Sequence, residues 1–414
     1  MTKPAEHFDL VVVGAGLVGA SLALALGQSA TCEHLSIALI DAGKPPPPTL
    51  PNDRFDPRVV AITRRSQQLF QRLGIWDDIE FAKDGHHRAC PYTHMHVWDG
   101  EGTGQIDFDC HELHQDNLGY IVENSLLIQR LIGKIETMNN IKLYWGDGVS
   151  AIELDTVNCL RLTSGQRLMT PLVCAADGAN SQIRTLCQFQ SREWHYGQRA
   201  IVTTVKTELA HQHTAWQRFM GSGPLAFLPL IAPDSAEMES NDHYSSIVWS
   251  VDEDLAAQVE DLNDDNFKEA LQRAFEGKLG RVEWVDRRFS FPLRQRHALT
   301  YVRPGVALLG DAAHTIHPLA GQGVNLGLLD VQALVTEVER AIQRGISLRD
   351  YSILRRYQRA RIGNNLAMMG LMEGFKQLFG SSNAWLQLMR NTGMAAVDRQ
   401  TLLRNGLASR AMGL

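Results

Sequence analysis

The sequence predicts an α/β fold (α+β overall): a Rossmann-like βαβ domain with an inserted, mostly antiparallel β-sheet domain and a helical C-terminal segment. Three observations predict it. The apolar run FDLVVV at residues 8–13 leads through a glycine-rich turn into an alanine- and leucine-rich helix, strand signals dominate residues 196–291, and apolar residues recur at helical spacing after Leu348. A chain of 414 residues also exceeds the usual size of a single core, so we expect two or three domains.

The composition is that of a globular protein, with 44% hydrophobic and 21% charged residues. The net charge of -6 gives no reason to expect nucleic acid as a partner. The six cysteines form no CxxC pair and have no regular spacing, which argues against a disulfide framework and a zinc site and fits a reducing compartment.

The charge-free stretch Leu10–Gly27 has eighteen residues, close to the length of a signal-peptide core or a short membrane span. Its flanks argue against both, because Glu6 and Asp9 precede it where a signal peptide carries basic residues. Its glycines also suit a turn better than a membrane helix. We therefore expect neither a signal peptide nor a transmembrane helix, and a cytoplasmic protein.

The first turn has the GxGxxG spacing of a dinucleotide-binding unit. In such a unit Gly14 allows the tight turn, Gly16 lets a pyrophosphate approach the backbone, and Gly19 lets the helix pack closely on the strand. A second apolar strand, Leu35–Ile40, ends at Asp41, twenty-two residues past Gly19 and suited to bind ribose hydroxyls. The alternative is a solvated acid at a strand end; the spacing favours the binding role.

Two later acids also follow apolar strands. Asp177 comes after the run 172–176, with Ser181 and Arg184 close behind. Asp311 comes after the run 306–309 and opens GDAAHTIHPLAGQGVNLG at residues 310–327, whose glycines free the backbone to approach a flat ligand. A glycine turn without a ligand is the alternative for this stretch.

Other candidates depend on fewer signals. Arg58 can contact a phosphate or a ring system of the cofactor, or it can be a surface arginine that pairs with Asp56. The sequence leaves both roles open. Asn124 lies near the start of a helix predicted for residues 120–135 and is a candidate cofactor contact. None of the local histidine pairs has a carboxylate or cysteine at a recognisable ligand spacing, so we predict no metal site and assign His314 and His317 to the shape of the turn.

The region 196–291 predicts an antiparallel sheet interrupted by one helix at residues 263–275, with one face toward a cavity for a largely apolar substrate. From Arg340 onward, twelve Lys and Arg residues stand against three acids, a local balance of +9. Most apolar helical stripes are core. The arginines also raise the hypothesis that this segment docks on a membrane surface or a partner.

Three motifs together carry a resemblance to a known family: GAGLVG at residue 14, ADGANSQIR at 176 and GDAAHTIHPLAGQGVNLG at 310. They resemble the class A FAD-dependent aromatic hydroxylases, and within them the ubiquinone-biosynthesis hydroxylases of the 2-polyprenylphenol or 2-octaprenyl-6-methoxyphenol hydroxylase type. The stretches DPRVVAIT, LGYIVENS, GPLAFLPL and SIVWS extend the likeness over nearly the whole chain. The insert at 233–244 is longer than the family usually carries.

The resemblance implies a non-covalent FAD. It places Gly14, Gly16 and Gly19 at the pyrophosphate, Asp41 on the adenosine ribose, and Asp311 at the ribityl and phosphate region. It places Gly323, Val324 and Asn325 against the isoalloxazine ring, with Arg58 and Asn124 facing the cofactor. It places Asp177 and Arg184 at the cofactor and nicotinamide-side groove. It leaves the catalytic residue unknown and offers Pro318 and His317 as candidates on the substrate side.

The implied reaction is hydroxylation of a polyprenylated phenol in ubiquinone biosynthesis, with C5 as the preferred ring position. In the family, reduced flavin captures O2 as a C4a-hydroperoxide that transfers OH to the ring, so the protein has to position the ring and exclude water. The chain has no second GxGxxG, so electrons come from transiently docked NAD(P)H or another donor. A flavoprotein reductase of prenyl chains and a non-catalytic prenyl- or flavin-binding protein stay open as alternatives.

The same reading divides the chain into domains. We expect the FAD-binding domain at residues 1–75, 118–185 and 299–345, the substrate-binding sheet domain at 76–117 and 186–298, and the helical segment at 346–414. The last segment is the expected route to a homo-oligomer or a ubiquinone-synthesis complex, and to peripheral contact with the inner face of the membrane.

Overall fold

The computed structural model describes residues 4–47, 55–80, 88–232, 242–316 and 323–379, together with residues 394, 400 and 404–406. Its strands in the first half of the chain are β1 (Glu6–His7), β2 (Leu10–Val13), β3 (Ile37–Asp41), β4 (Val59–Thr63), β5 (Ala89–Tyr92), β6 (His94–Asp99), β7 (Gln105–Asp109), β8 (Gly119–Glu123), β9 (Ile141–Trp145), β10 (Val149–Glu153), β11 (Asn158–Leu162), β12 (Arg167–Thr170) and β13 (Val173–Ala175). The second half adds β14 (Ser191–Thr207), β15 (Thr214–Met220), β16 (Gly223–Leu230), β17 (Tyr244–Asp252), β18 (Val282–Val285), β19 (Phe289–Ala298), β20 (Val302–Arg303), β21 (Val306–Leu308) and β22 (His314–Thr315).

The helices are α1 (Leu17–Gln28), α2 (Arg64–Arg72), α3 (Asp77–Glu80), α4 (Asn124–Ile135), α5 (Gln182–Leu186), α6 (Glu253–Glu260), α7 (Asp264–Ala274), α8 (Gly323–Gln343) and α9 (Tyr351–Phe379). Short 3₁₀ turns lie at His111–Leu113 and Gly310–Ala312.

A six-stranded sheet in the order β20-β21-β13-β2-β3-β9 forms the centre of the part of the chain predicted to bind FAD, the cofactor half. Its neighbours from β21 to β9 run parallel, and only β20 is antiparallel, on the edge. All four residues of β2 are buried, as expected for a parallel strand flanked on both sides. The predicted βαβ unit is confirmed, and α1 packs against α4 and α8.

The second large sheet has nine strands, in the order β22-β19-β14-β17-β16-β15-β6-β7 with β18 paired to β14. It is antiparallel apart from the parallel pair β15 and β6, which confirms the predicted, mostly antiparallel sheet. Two helices pack on it, α6 and α7, where the sequence predicted only the second. The sheet and helices share an apolar core in which the rings of Phe227 and Phe275 stack at 3.7 Å.

Two smaller sheets complete the fold, a four-stranded one (β1-β12-β11-β10) and an antiparallel three-stranded one (β4-β8-β5). The predicted helix at residues 120–135 is wrong in its first turn, because Gly119–Glu123 is a fully buried strand paired with β4 and β5. The helix begins only at Asn124. Tertiary pairing on both edges outweighs the helical spacing of the residues that follow. This sheet joins residues on both sides of the expected domain limit at 117/118, and the domain limits stay a prediction.

The helical C-terminal segment is confirmed as far as α9, which packs along α8 and β20. Ile353, Leu354, Tyr357 and Met369 of its apolar stripe are buried, whereas Leu366 is 48% exposed. Several arginines of the basic segment bind within the chain: Arg340 and Arg356 pair with Glu337, Arg361 pairs with Asp330, and Arg349 donates to the Asp155 carbonyl. Among the described residues, no helix has both the length and the apolar character needed to cross a bilayer.

Candidate cofactor and active site

The carboxyl ends of β3, β2, β13 and β21 meet at one edge of the parallel sheet, and the loops that follow them are tied together. The Gly14 N–H donates to the Ile40 carbonyl at 2.7 Å, the Ala176 N–H to the Val13 carbonyl at 2.7 Å, and the Leu309 N–H to the Ala175 carbonyl at 2.9 Å. The structure therefore brings the glycine turn, Asp41, Asp177 and the Gly310 turn to one edge. Such an edge is where open α/β sheets bind their ligands.

The three glycines of the first turn occupy different environments. Gly14 has φ of +100°, and a Cβ there would lie 2.4 Å from the Ala176 oxygen. A Cβ at Gly19 would lie 1.8 Å from the Gly14 oxygen. A Cβ at Gly16 would meet no atom of the described residues within 4 Å. Gly14 and Gly19 are thus required by the protein's own packing, whereas Gly16 faces open space at the N-terminus of α1.

Asp41 braces this turn. Its Oδ2 accepts from the Ala15 N–H and its Oδ1 from the Gly43 N–H, both at 2.7 Å. The carboxylate is half-buried. Each oxygen accepts one backbone bond, so each keeps a lone pair for a further donor. Asp41 therefore fixes the glycine turn and can still accept from a hydroxyl.

Asp177 and Arg184 hold the loop after β13. The Oδ2 of Asp177 accepts from the Ile183 N–H at 3.1 Å, while its buried Oδ1 has no partner in the part of the chain that the structure describes. The guanidinium of Arg184 donates to the Ala179 carbonyl at 2.6 Å and to the Ala312 carbonyl at 3.0 Å. Burial, together with the nearby Arg296, lowers the pKa of Arg184. Arg184 therefore links two of the edge loops.

The turn after β21 begins at Gly310, which has φ of +55° and whose Cβ would crowd Val18. Asp311 follows with an exposed side chain. Protein atoms nevertheless surround this carboxyl closely enough that desolvation raises its pKa, against the lowering effect of His314. In α8, a Cβ at Gly327 would lie 2.6 Å from Val18 Cγ2 and 3.2 Å from the Gly310 Cα, so the helix meets the turn in close contact.

The start of α8 was expected to face the cofactor through Gly323, Val324 and Asn325. Within the described part of the chain, a Cβ at Gly323 would meet Ile316, at 3.8 Å. The Asn325 side chain is 5% exposed and points elsewhere. Its Oδ1 accepts from Ser66 Oγ at 2.7 Å and from the Thr63 N–H at 3.1 Å, and its Nδ2 donates to the Ala61 carbonyl at 2.7 Å. The Asn325 side chain is thus already bonded to residues 61, 63 and 66. His317 and Pro318 lie outside the described residues.

Arg58 and Asn124 are brought together, since the Asn124 N–H donates to the Arg58 carbonyl at 2.9 Å. The Arg58 N–H donates to Asp56 Oδ1 at 2.8 Å. Its guanidinium lies 5.6 Å from the ring centroid of Phe291, a residue of the nine-stranded sheet. Arg58 therefore reaches from the start of β4 toward the nine-stranded sheet.

Sequence reasoning missed several buried polar residues beside this edge. Arg88 pairs with Glu123 at 2.7 Å, with both side chains 4% exposed. Burial raises the pKa of Glu123, although the charge of Arg88 opposes the shift. Asp330 is completely buried within α8 and binds His314 and Arg361. An acid inside the apolar run GLLDVQALV was the signal that could have identified Asp330.

Two features of this sheet edge suit FAD. The space in front of Gly16 lies at the N-terminus of α1, where free N–H groups and the helix dipole favour a phosphate. The unpartnered Oδ1 of Asp177 is a buried acceptor suited to a donor such as a hydroxyl. These are the features that a dinucleotide cofactor requires.

One group of potential metal ligands exists among the described residues: Asp109, Cys110 and His111, whose ligand atoms lie within 4.8 Å of one another. Their contacts close a turn, because the His111 N–H donates to Asp109 Oδ1 at 2.9 Å and the Cys110 thiol to the Asp116 carbonyl at 3.5 Å. Consecutive residues in a turn are close without a metal. The absence of a metal site stays a prediction.

Comparison with known proteins gives consistent results. A family model described as an FAD binding domain matches residues 7–362. The chain is 35% identical over 407 residues to the 3-demethoxyubiquinol 3-hydroxylase of Escherichia coli (strain K12), covering 98% of each protein. It is 32% identical over 450 residues to the mitochondrial ubiquinone biosynthesis monooxygenase COQ6 of Xenopus tropicalis, covering 97% of this chain and 92% of the relative.

Solved structures share the fold at lower identity. The p-nitrophenol 4-monooxygenase PnpA of Pseudomonas putida DLL-E4 superposes with a TM-score of 0.76 at 19% identity, covering 98% of both chains. PqsL of Pseudomonas aeruginosa, described as a probable FAD-dependent monooxygenase, gives 0.74 at 18% identity, covering 94% of this chain and all of the other. From its family match and its near-full-length relatives, the chain belongs to the ubiquinone-biosynthesis hydroxylase family of FAD-dependent monooxygenases, with FAD as its cofactor.

Proposed function

We propose that this FAD-dependent monooxygenase hydroxylates the aromatic ring of a polyprenylated phenol in ubiquinone biosynthesis, at C5. The observation that carries the proposal is the likeness over nearly the whole chain to two relatives whose names place them in ubiquinone chemistry. Because the likeness covers both large sheets, it is not confined to the part of the chain predicted to bind FAD.

We assign the cofactor contacts to the residues gathered at the sheet edge. The backbone at Gly16, allowed by the turn at Gly14 and the packing at Gly19, binds the pyrophosphate; Asp41 binds the adenosine ribose; and Asp311 binds the ribityl and phosphate region. The Gly323–Asn325 backbone lies against the ring system, and Asp177, Arg58 and Asn124 complete the contacts. Bound FAD supplies the redox chemistry, taking electrons from NAD(P)H or another donor and activating O2.

The protein itself contributes positioning and a dry site. A layer of apolar side chains lies where the three-stranded and nine-stranded sheets meet, and it includes Phe55, Ile121, Leu228 and Leu230. Such a layer keeps water out of the contact between the two sheets. His317 and Pro318 remain the candidates on the substrate side.

Complementation tests this function. A strain that lacks its own ring hydroxylases, one at a time, is given this chain, and its quinone intermediates are identified by mass spectrometry. Restored flux past the C5 step is expected only in the strain blocked there. Accumulation of every unhydroxylated precursor, unchanged by the chain, would defeat the proposal.

A second candidate is hydroxylation of a demethoxyubiquinol, and the name of the Escherichia coli relative is the specific observation that favours it. It differs from the first candidate in the ring carbon that is hydroxylated and in the substrate, a demethoxyubiquinol instead of a polyprenylated phenol. Purified protein supplied with FAD, NAD(P)H, O2 and each substrate separates the two, because only the true substrate couples oxygen uptake to a product 16 mass units heavier, the mass of one oxygen atom.

We further propose that the basic C-terminal segment mediates association, either with copies of the chain, with a ubiquinone-synthesis complex or with the inner face of the membrane from the cytoplasm. Arg355 and Arg359 support this, since both are exposed on α9. Cosedimentation with anionic vesicles, compared between the wild type and a chain with both arginines replaced by Gln, tests the membrane contact. Equal sedimentation of the two proteins would count against it.

A further inference from the structure

Asp330 in α8 is completely buried, since its side chain has no exposed surface. Its Oδ2 accepts from His314 Nε2 at 2.6 Å and from the Gly310 N–H at 3.0 Å. Its Oδ1 accepts from Arg361 Nε at 2.7 Å and from Asn365 Nδ2 at 3.4 Å. One carboxylate thus holds both ends of the turn from Gly310 to His314 and also binds α9.

The contribution of α9 comes from one face of the helix. Tyr357, Arg361 and Asn365 follow one another at four-residue steps, and all are buried. The Tyr357 hydroxyl donates to the Leu308 carbonyl at 2.8 Å, at the end of β21. Arg361 also donates to the Leu326 carbonyl at 3.3 Å and to Asn365 Oδ1 at 2.8 Å. The helix therefore contacts the strand, the turn and the first part of α8 through specific polar groups.

This arrangement is costly to bury. An unpaired carboxylate in an apolar interior is strongly unfavourable, and a buried ion pair contributes little net stability against apolar residues of similar size. Burial alone would raise the pKa of Asp330, but His314 and Arg361 hold it below its ordinary value. The four directional bonds to the Asp330 carboxylate fix its geometry, so the role of this network is better sought in orientation than in stability.

The group that the network orients is close at hand. The turn between Gly310 and His314 carries Asp311, whose exposed carboxyl is the one acid of this turn. His314 uses Nε2 on Asp330, and its buried Nδ1 has no partner among the described residues. The ring of His314 is therefore held by one directional bond, at a fixed place in the turn.

We propose that Asp330, His314 and Arg361 are positioning residues that set the orientation of the Gly310–His314 turn, and with it Asp311, toward FAD. The inference rests on the proposed placement of FAD along this edge. It makes α9 part of the cofactor site, because Arg361 and Asn365 complete the carboxylate's bonds from that helix.

The experiment measures FAD binding by the apoprotein, the visible absorption spectrum of the bound flavin, and thermal stability, for Arg361→Met, Arg361→Lys and the control Arg356→Met. Arg356 lies on the same helix and pairs with Glu337 at 2.6 Å, away from the turn. We expect Arg361→Met to weaken FAD binding about tenfold or more and to alter the flavin spectrum. Arg361→Lys should recover part of the loss, since it keeps the charge without the guanidinium geometry.

The control variant Arg356→Met distinguishes a changed orientation of the Gly310–His314 turn from a general weakening of the packing of α9. Arg356→Met should lower stability at most and leave FAD affinity and spectrum unchanged. Wild-type affinity and spectrum in Arg361→Met, with only a lower Tm, would overturn the proposal, as would equal losses in both Met variants.

If Arg361→Met does not fold, the pair His314→Gln and His314→Phe gives the same test. Gln keeps a donor for Asp330 and should retain FAD binding better than Phe, and equal binding by the two would overturn the inference. A wild-type chain that binds FAD but hydroxylates no phenol would defeat the proposed function and leave this inference standing.

Discussion

A Cβ placed on Gly19 would lie 1.8 Å from the carbonyl oxygen of Gly14, so the first turn of α1 sits directly on the turn that precedes it. Gly16, between them in sequence, has none of the described atoms within 4 Å of its would-be Cβ. The two kinds of glycine therefore predict opposite results on substitution to alanine.

Gly19→Ala should destabilise the apoprotein by about 3 kcal/mol or more, because backbone atoms rather than a flexible side chain oppose the new methyl group. Gly16→Ala should leave the stability of the apoprotein within about 0.5 kcal/mol and weaken FAD binding about tenfold. Chemical denaturation and FAD titration measure the two effects. A Gly16→Ala protein with unchanged FAD affinity would contradict the assigned pyrophosphate contact.

Asn325→Ala should reduce stability by about 2–4 kcal/mol with or without FAD, because its buried partners, the Thr63 N–H, the Ser66 hydroxyl and the Ala61 carbonyl, would lose their bonds to it. The matched control is Asn364→Ala on α9, whose exposed amide makes only a 3.4 Å bond to the Ala360 carbonyl. Thermal unfolding of apo and FAD-loaded protein distinguishes them. If Asn325→Ala lost FAD affinity without losing stability, its side chain would have to face the cofactor after all.

Arg184→Met should lower stability by about 1.5–3 kcal/mol and weaken FAD binding, since the Ala312 carbonyl would lose its bond to the guanidinium and the link between the two edge loops would break. The Ala179 carbonyl would keep its bond from Arg296. Arg167→Met, on the exposed side of β12, serves as the control and should change neither quantity. Isothermal titration with FAD and denaturant unfolding test this. Equal behaviour of the two variants would show that the two loops do not depend on Arg184.

The stability of the protein should fall with acid through His211. Burial lowers the pKa of His211 below its ordinary 6.5, while the bond to the Leu230 carbonyl opposes the shift. Its Nε2 donates to that carbonyl at 3.1 Å and its Nδ1 accepts from the His213 N–H at 3.0 Å. Protonation would put a hydrogen on Nδ1, which would then face the His213 N–H and lose that bond.

The unfolded state therefore takes up a proton first as the pH falls below 6.5, and this contribution to stability, full above that pH, is lost on acidification. At pH 5 the loss from this group is about 2 kcal/mol or less. The free energy of unfolding measured between pH 7.5 and about 5 should fall less steeply in His211→Asn than in wild type. His34→Gln, an exposed control, should keep the wild-type slope; an identical slope in His211→Asn would refute the assignment.

Much of the candidate site could be predicted from the chain because its features are local. The glycine spacing at 14, 16 and 19 dictates a strand, a turn and a helix within a few residues. Acids at the ends of apolar runs, Asp41, Asp177 and Asp311, converge because the carboxyl ends of parallel strands share one edge. Each of these inferences needs only nearby sequence and the geometry of a parallel sheet.

The remaining features depend on contacts between residues far apart in sequence. Residues 119–123 became a strand because β4 and β5 pair with them on both sides, which no helical periodicity could reveal. Asn325, assigned to a ring contact by resemblance, gives its side chain to Thr63, 262 residues away.

The sequence by itself thus determined the family and the sheet edge at which the predicted cofactor residues gather. Only the tertiary structure decided which of those side chains are already used within the protein. It also showed that Arg361, from a helix well past the motifs, completes the bonds of the buried Asp330. The physical reason is that a buried polar group needs hydrogen-bond partners, and the fold supplies them from residues distant in sequence. The spacing of residues along the chain does not show which partners these are.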